Sequence, residues 1–269
     1  MMYGTMSDVR AALSVDALWR VGELLDVQTW PAVLDLRARH DTVEAHHAAA
    51  TRAEQELAAA GLVRHGAVDD ALTLAVRTVA DPESQCEARI FGADGIRRVS
   101  LTRRGLDHVL VLRKDESITI ETVSIDGTAT LAARIAACLG PAEPADVGAV
   151  SAPTAELASR LDSCTDAGEF ADTLSAIGVD RREAVVYGAA FAERHGYAEI
   201  VASEFVEGRT QQSSGSVAVY ETVRGRVVAS PSWSPDGQMW TTLSAGSAHR
   251  IKQAIGLLVE TLPNRRWMP

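Results

Sequence analysis

The sequence predicts an α+β fold: a central antiparallel β-sheet with helical bundles, built as two halves related by a pseudo-two-fold. Three observations predict it. Four short runs between residues 86 and 123 are β-branched or alternate in polarity, with turn chemistry in every gap. Segments with apolar residues at helical spacing flank these runs on both sides. The same order of helices, four strands and a helix then recurs at an offset of about 120 residues. At that offset Val123 meets Leu243, Ser124 meets Ser244, Leu131 meets Ile251 and Ile135 meets Ile255.

In chain order, Val9 to Leu13 predicts a short strand. Ser14 then caps a helix whose inner face is Ala17, Leu18, Val21, Leu24 and Leu25. Pro31 interrupts, and Val33, Leu34 and Leu36 read as a short extended piece. A helix from Asp41 to Ala60 follows, with Asp41 as cap, Glu44 three residues on as in a capping box, and Gly61 as its stop. Asp69 to Val79 is a shorter helix closed by Asp81-Pro82. The strands are Cys86 to Phe91, Ile96 to Thr102, His108 to Arg113 and Ser117 to Val123, and Thr128 to Leu139 is a helix. In the second half, Thr154 to Leu161, Ala167 to Ile177 and Arg182 to Arg194 read as helices. Glu199 to Val206, Ser216 to Thr222, Val227 to Ser232 and Met239 to Ser244 read as strands, and Ser247 to Leu262 closes the chain as a helix. The expected organisation is one domain, 1–269, with repeat halves of roughly 1–145 and 146–269. Joining the two sets of strands into one sheet would leave fewer exposed edges.

Composition narrows the function. The formal net charge is −10, from 36 acidic and 26 basic side chains, which disfavours a nucleic-acid partner. The three cysteines, Cys86, Cys138 and Cys164, form no C-x-x-C pair and read as reduced thiols. The first eight residues lack a cationic start and an apolar core, so no signal peptide is expected. No run of 18 apolar residues predicts a membrane span. Neither a phosphate-binding glycine loop nor a G-x-S-x-G elbow occurs.

Individual candidates have ordinary readings. His46 and His47 point about 100° apart on a helix and cannot chelate one ion together. No metal or cofactor is therefore expected. His195 reads as a helix C-terminal histidine, and Ser213 to Ser216 as a polar hairpin tip. Arg97-Arg98, Arg103-Arg104 and Arg265-Arg266 read as solvated faces or a local cationic stripe. Trp240 heads an apolar strand and reads as core, whereas Trp233 sits in a Ser-Pro-Asp-Gly hairpin where it could anchor a partner.

The C-terminal stretch carries a more specific pattern. It runs from Tyr197-Ala-Glu-Ile-Val-Ala through Arg224-Gly-Arg-Val to Asp236-Gly-Gln-Met-Trp-Thr, then Gly246-Ser-Ala and Leu262-Pro263. Together with Ala17 to Leu34 and Thr51 to Val63, this resembles the EspG family of type VII (ESX) secretion chaperones over nearly the whole chain. The resemblance implies a cytoplasmic, non-enzymatic protein that binds the apolar tip of the PPE subunit in a PE–PPE heterodimer and keeps the pair soluble. It implies no cofactor and no membrane insertion, and leaves room for a homodimer. Family contacts come from the sheet, the loop between its second and third strands and the C-terminal half. The corresponding candidates are Gly92, Asp94, Gly95 and Arg97, with Trp233 added as a hairpin aromatic. Two competing readings are a homo-oligomeric regulatory or structural protein without such a client, and a hydrolase using Glu199 or His195.

Overall fold

The computed structural model describes residues 8–269. The reading of the N-terminus as lacking a signal peptide concerns residues 1–7, which lie outside the described residues. In chain order, β1 (Arg10–Ser14) leads into α1 (Val15–Leu24), a 3₁₀ turn (Ala32–Leu34) and α2 (Val43–Ala59). A small hairpin, β2 (Val63–Arg64) with β3 (Ala67–Val68), precedes α3 (Asp70–Ala80). A meander follows: β4 (Ser84–Gly92), β5 (Gly95–Arg104), β6 (Asp107–Lys114) and β7 (Ser117–Thr122), then α4 (Thr128–Leu139). The order then repeats, with β8 (Val150–Pro153), α5 (Thr154–Leu161), α6 (Ala167–Ala176) and α7 (Arg181–Ala192). Next come β9 (Arg194–Val206), β10 (Arg209–Gln212), β11 (Val217–Thr222), β12 (Gly225–Trp233), β13 (Met239–Ala245) and α8 (Ala248–Glu260). This is the expected α+β class, a large antiparallel sheet with helices.

The residues gather into two compact units. The first holds the described residues up to Glu87, with Ile96–Ile125 and Phe205–Gly208. The second holds Ala88–Gly95, Asp126–Glu204 and Arg209–Pro269. In the first, the strand order is β1-β7-β6-β5-β4. In the second it is β8-β13-β12-β11-β9, followed by β4, whose residues are divided between the units. The two orders match position for position along the sheet.

In the first unit β1 pairs antiparallel with β7, Ala12 opposite Thr119. Its buried face, Ala11 and Leu13, joins Leu18 and Val21 of α1, Leu57 of α2 and Val76 of α3 in one core. Ser14 caps α1 as expected, its Oγ accepting from the Ala17 amide at 3.0 Å. The same hydroxyl donates to Glu56 at 2.6 Å, which ties α2 to the cap. In the second unit α4 and α8 pack together, with Leu131, Ile135, Ile251 and Ile255 all buried. Helices α5 to α7 form a separate core with β11, β12 and β13 through Leu157, Phe170, Leu174, Tyr187 and Leu243.

Several local expectations are corrected. The piece at Val33 and Leu34 is 3₁₀, not extended. It is held there because Arg98 donates to the Val33 carbonyl at 3.1 Å and Arg113 to those of Leu34 and Asp35 at 2.5 and 2.7 Å. Helix α2 is capped by Thr42 rather than Asp41, its Oγ1 accepting from the Ala45 amide at 3.1 Å. Helix α7 stops at Ala192, so His195 lies exposed in β9 and not at a helix terminus. Within the Ser213–Ser216 connection Ser214 and Gly215 are exposed as expected, but Ser213 is buried: its Oγ accepts from the Ala202 amide at 3.2 Å and donates to the Gly215 carbonyl at 2.9 Å. Trp240 is only half-buried, while Trp267 is fully buried. Strands β2, β3, β8 and β10 were not expected.

Candidate functional site

The second unit presents one sheet face that is covered along part of its width and open along the rest. Cross-strand register puts Ala218 opposite Ala229 and Ala229 opposite Leu243, so these share a face. Helices α5 to α7 pack on it. Helices α6 and α7 lie very close because Gly188 has no side chain: a Cβ there would stand 2.3 Å from the Ala167 carbonyl oxygen. Between these helices and the strands lies a concavity of about 420 Å³, lined by Leu157, Leu161, Phe170, Phe191, Tyr220 and Leu243 among others.

A file of aromatics leads out of this concavity. Phe170 and Phe191 have ring centroids 5.6 Å apart, and Phe191 meets Tyr220 edge-on at 5.2 Å. Burial raises the Tyr220 phenol above its usual range, with Arg194 opposing. Tyr197 stands directly across from Tyr220 in the β9–β11 register and is therefore on the same face. Here the helical cover ends: Tyr197 is 42% exposed, and it stacks on Phe91 with centroids 4.4 Å apart and planes 14° apart. Gly196 lets the two strands come this close, since a Cβ there would sit 2.7 Å from the Phe91 carbonyl oxygen.

Gly92 follows Phe91, so the expected turn abuts this aromatic shelf. Gly92, Asp94 and Gly95 are exposed, and Gly95 takes φ +97°, a conformation that glycine adopts without strain. Trp233 is 50% exposed at the end of β12, paired with Met239 across a turn. In that turn the Ser234 hydroxyl donates to Asp236, which holds the carboxyl below its usual range, and the Gln238 amide adds to the effect. Trp233 shares the face of Ala229 and Pro231, because side chains alternate along the strand. The turn and Trp233 are not brought together. Val227 lies opposite Tyr220, and Trp233 is six residues farther along β12, roughly 20 Å at the rise of a strand. Arg97 belongs to the first unit, exposed in β5 opposite Lys114.

Arg98 and the Arg103-Arg104 pair are engaged in internal contacts, whereas Arg265 and Arg266 are exposed. Arg98 grips the 3₁₀ turn, and Arg103, almost fully buried, donates to Glu83 at 2.7 Å and Ser84 at 2.9 Å. Arg104 pairs with Asp81 at 3.1 Å. Histidines 40 and 46 lie near Asp16 and Glu23 at 3.2 and 3.6 Å. Among the described residues no group of three or more His, Cys, Asp or Glu could hold a metal ion, and no helix is long and apolar enough to cross a membrane. Glu199 and His195 are not joined into a nucleophile–base arrangement by any hydrogen bond or ion pair among the described residues. The concavity has no local sequence signal beyond Phe170, Phe191, Tyr197 and Tyr220, four of the chain's few aromatics.

In class the fold is an α+β sheet with one apolar, aromatic face flanked by helices. The chain belongs to the EspG family, whose sequence profile matches residues 14–256. It is 26% identical over 259 residues to the ESX-3 secretion-associated protein EspG3 of Mycolicibacterium smegmatis, covering 96% of this chain and 88% of that protein. It is likewise 26% identical over 265 residues to the ESX-1 secretion-associated protein EspG1 of Mycobacterium tuberculosis, covering 97% and 90%. Among solved structures it matches the M. tuberculosis type VII secretion system chaperone EspG5, determined in complex with a PE25–PPE41 dimer. The TM-score is 0.81 at 18% identity, over 96% of this chain and 99% of that one, which shows a shared fold.

Proposed function

We propose that this chain is a cytoplasmic chaperone that binds a PE–PPE heterodimer and delivers it to an ESX secretion system. The observation that carries this is the common fold with an EspG5 captured on such a dimer, together with a partly uncovered aromatic face of the kind that shields an apolar tip. The contact surface runs along the second unit, from the turn at Gly92, Asp94 and Gly95 at its rim, across Tyr197 and Phe91, to Trp233; Arg97, in the first unit, is a separate candidate contact. The protein acts by binding alone and carries out no chemistry. Residues 1–269 work as one functional domain, with halves of roughly 1–145 and 146–269 descended from one duplicated unit. The matching strand orders support that descent.

The test is co-expression with each PE–PPE pair encoded in the same genome, followed by size-exclusion chromatography with light scattering. The expected product is a heterotrimer of one chaperone and one heterodimer. A homo-oligomer that takes up none of the pairs would refute the proposal and favour a regulatory or structural role.

A further inference from the structure

Arg194 occupies an unusual position in the concavity of the second unit. It is the first residue of β9, and its guanidinium carbon lies 5.7 Å from the centroid of Phe170. Its Nη1 donates to the Phe191 carbonyl at 2.7 Å, which fixes the group at the end of α7. The residue is exposed and, like Arg52, Arg77 and Arg209, makes no ion pair among the described residues, but it alone of these lines the concavity, in a protein of net charge −10. Asp162, which also lines the concavity, is not paired with it. Leu157, Leu161 and Leu243 supply apolar wall beside the aromatic rings, and Thr154, Ser216 and Thr241 supply neutral polar groups.

From this geometry we infer that the concavity is a specificity pocket for a client segment bearing an aliphatic or aromatic side chain beside a carboxylate. The side chain fills the space between Leu157, Leu161 and Tyr220. The carboxylate pairs with Arg194, whose planar fork suits a bidentate acceptor and whose stacking on Phe170 pre-organises it. Charge complementarity selects this occupant: the apolar walls would take any hydrophobic residue, but an oriented cation with no internal partner discriminates among hydrophobic tips. The inference rests on the proposed chaperone function, since it specifies the client that the same face receives.

The experiment measures affinity, by calorimetry, for the PE–PPE heterodimer that the wild-type protein captures. Arg194→Gln removes the charge and should weaken binding about 10-fold, the effect of losing a hydrogen bond to a charged group. Arg194→Glu should weaken it at least several-fold further, because two carboxylates then face each other. Asp162→Asn should strengthen binding about 2- to 3-fold by removing a nearby negative charge. The melting temperatures of all three variants separate loss of the Phe191 contact from loss of the client. Equal affinities for Arg194→Gln and Arg194→Glu, or weaker binding by Asp162→Asn, would overturn the acidic-client inference while leaving the chaperone function intact. If the wild-type protein captures no heterodimer, both fall. Displacement of the heterodimer by dodecanoate but not by an acidic peptide from the PPE tip would assign the pocket to a small amphiphile and also overturn the inference.

Discussion

Acidification should destabilise the first unit through one residue, His108. Its side chain is 1% exposed in β6, with Nδ1 hydrogen-bonded to the Leu106 carbonyl at 2.9 Å and Arg103 opposite it in the β5–β6 register. Burial lowers its pKa to about 4 from 6.5; the Leu106 hydrogen bond opposes this and the Arg103 charge adds to it. The folded state therefore resists a proton that the unfolded chain accepts. Stability is complete above the unfolded pKa near 6.5, is lost as pH falls below it, and stops falling below about 4. Linkage over that shift gives a full cost of about 3 kcal/mol, of which about 2 kcal/mol is lost between pH 7.5 and pH 5.0. The assay is urea unfolding of the wild-type protein and of His108→Asn at both pH values. Asparagine retains a donor near Nδ1 but cannot be charged, so its stability should fall by about 2 kcal/mol less over that interval. Equal losses for the two proteins would refute the assignment and mean that His108 is protonated as easily in the folded state as in the unfolded chain.

Three further outcomes follow from particular contacts. Trp233→Ala should weaken capture of a PE–PPE heterodimer by about 2 kcal/mol with little change in melting temperature, because the ring is half-exposed at a hairpin end; a marked fall in melting temperature would instead make Trp233 a packing residue. Gly188→Ala should cost about 1–3 kcal/mol in thermal unfolding, since the added methyl meets the Ala167 carbonyl backbone. Tyr187→Phe should cost about 1–3 kcal/mol, because the buried hydroxyl donates to the Gly148 carbonyl at 2.5 Å and its removal strands that oxygen; a neutral result would show that the carbonyl finds water instead.

The meander β4–β7 was legible because its information is local. Tight turns that need a positive φ at Gly95, Gly105 and Asp115 fall at regular intervals between alternating runs. The same holds for α4 and α8, whose apolar faces and offset of about 120 residues were both visible. What escaped the sequence depends on partners distant in the chain. Strand β8 has four residues, too few for a period, and is a strand because Ala152 sits opposite Thr241. The polar run Arg209–Gln212 becomes β10 only through pairing with β9. Thr42 displaced Asp41 as a cap because either residue can serve, and the choice rests on where the backbone turns in. The shelf and concavity draw Phe91, Phe170, Phe191, Tyr197 and Tyr220 from separate segments, and only the strand register of Tyr197 with Tyr220 and the packing of α6 and α7 bring them together. Trp233 and the turn at Gly92 were both found, but nothing local fixes the distance between them.

The polypeptide passes from one compact unit to the other five times, at residues 87/88, 95/96, 125/126, 204/205 and 208/209. Neither unit is thus a contiguous stretch of chain. A ribosome releasing residues 1–145 has made α4 but not α8, the helix against which Leu131 and Ile135 are buried. During synthesis that apolar face must wait for more than a hundred further residues before it is covered. No single proteolytic cut can free an intact unit, and a gene truncated at the repeat boundary would encode a chain whose α4 lacks its partner helix.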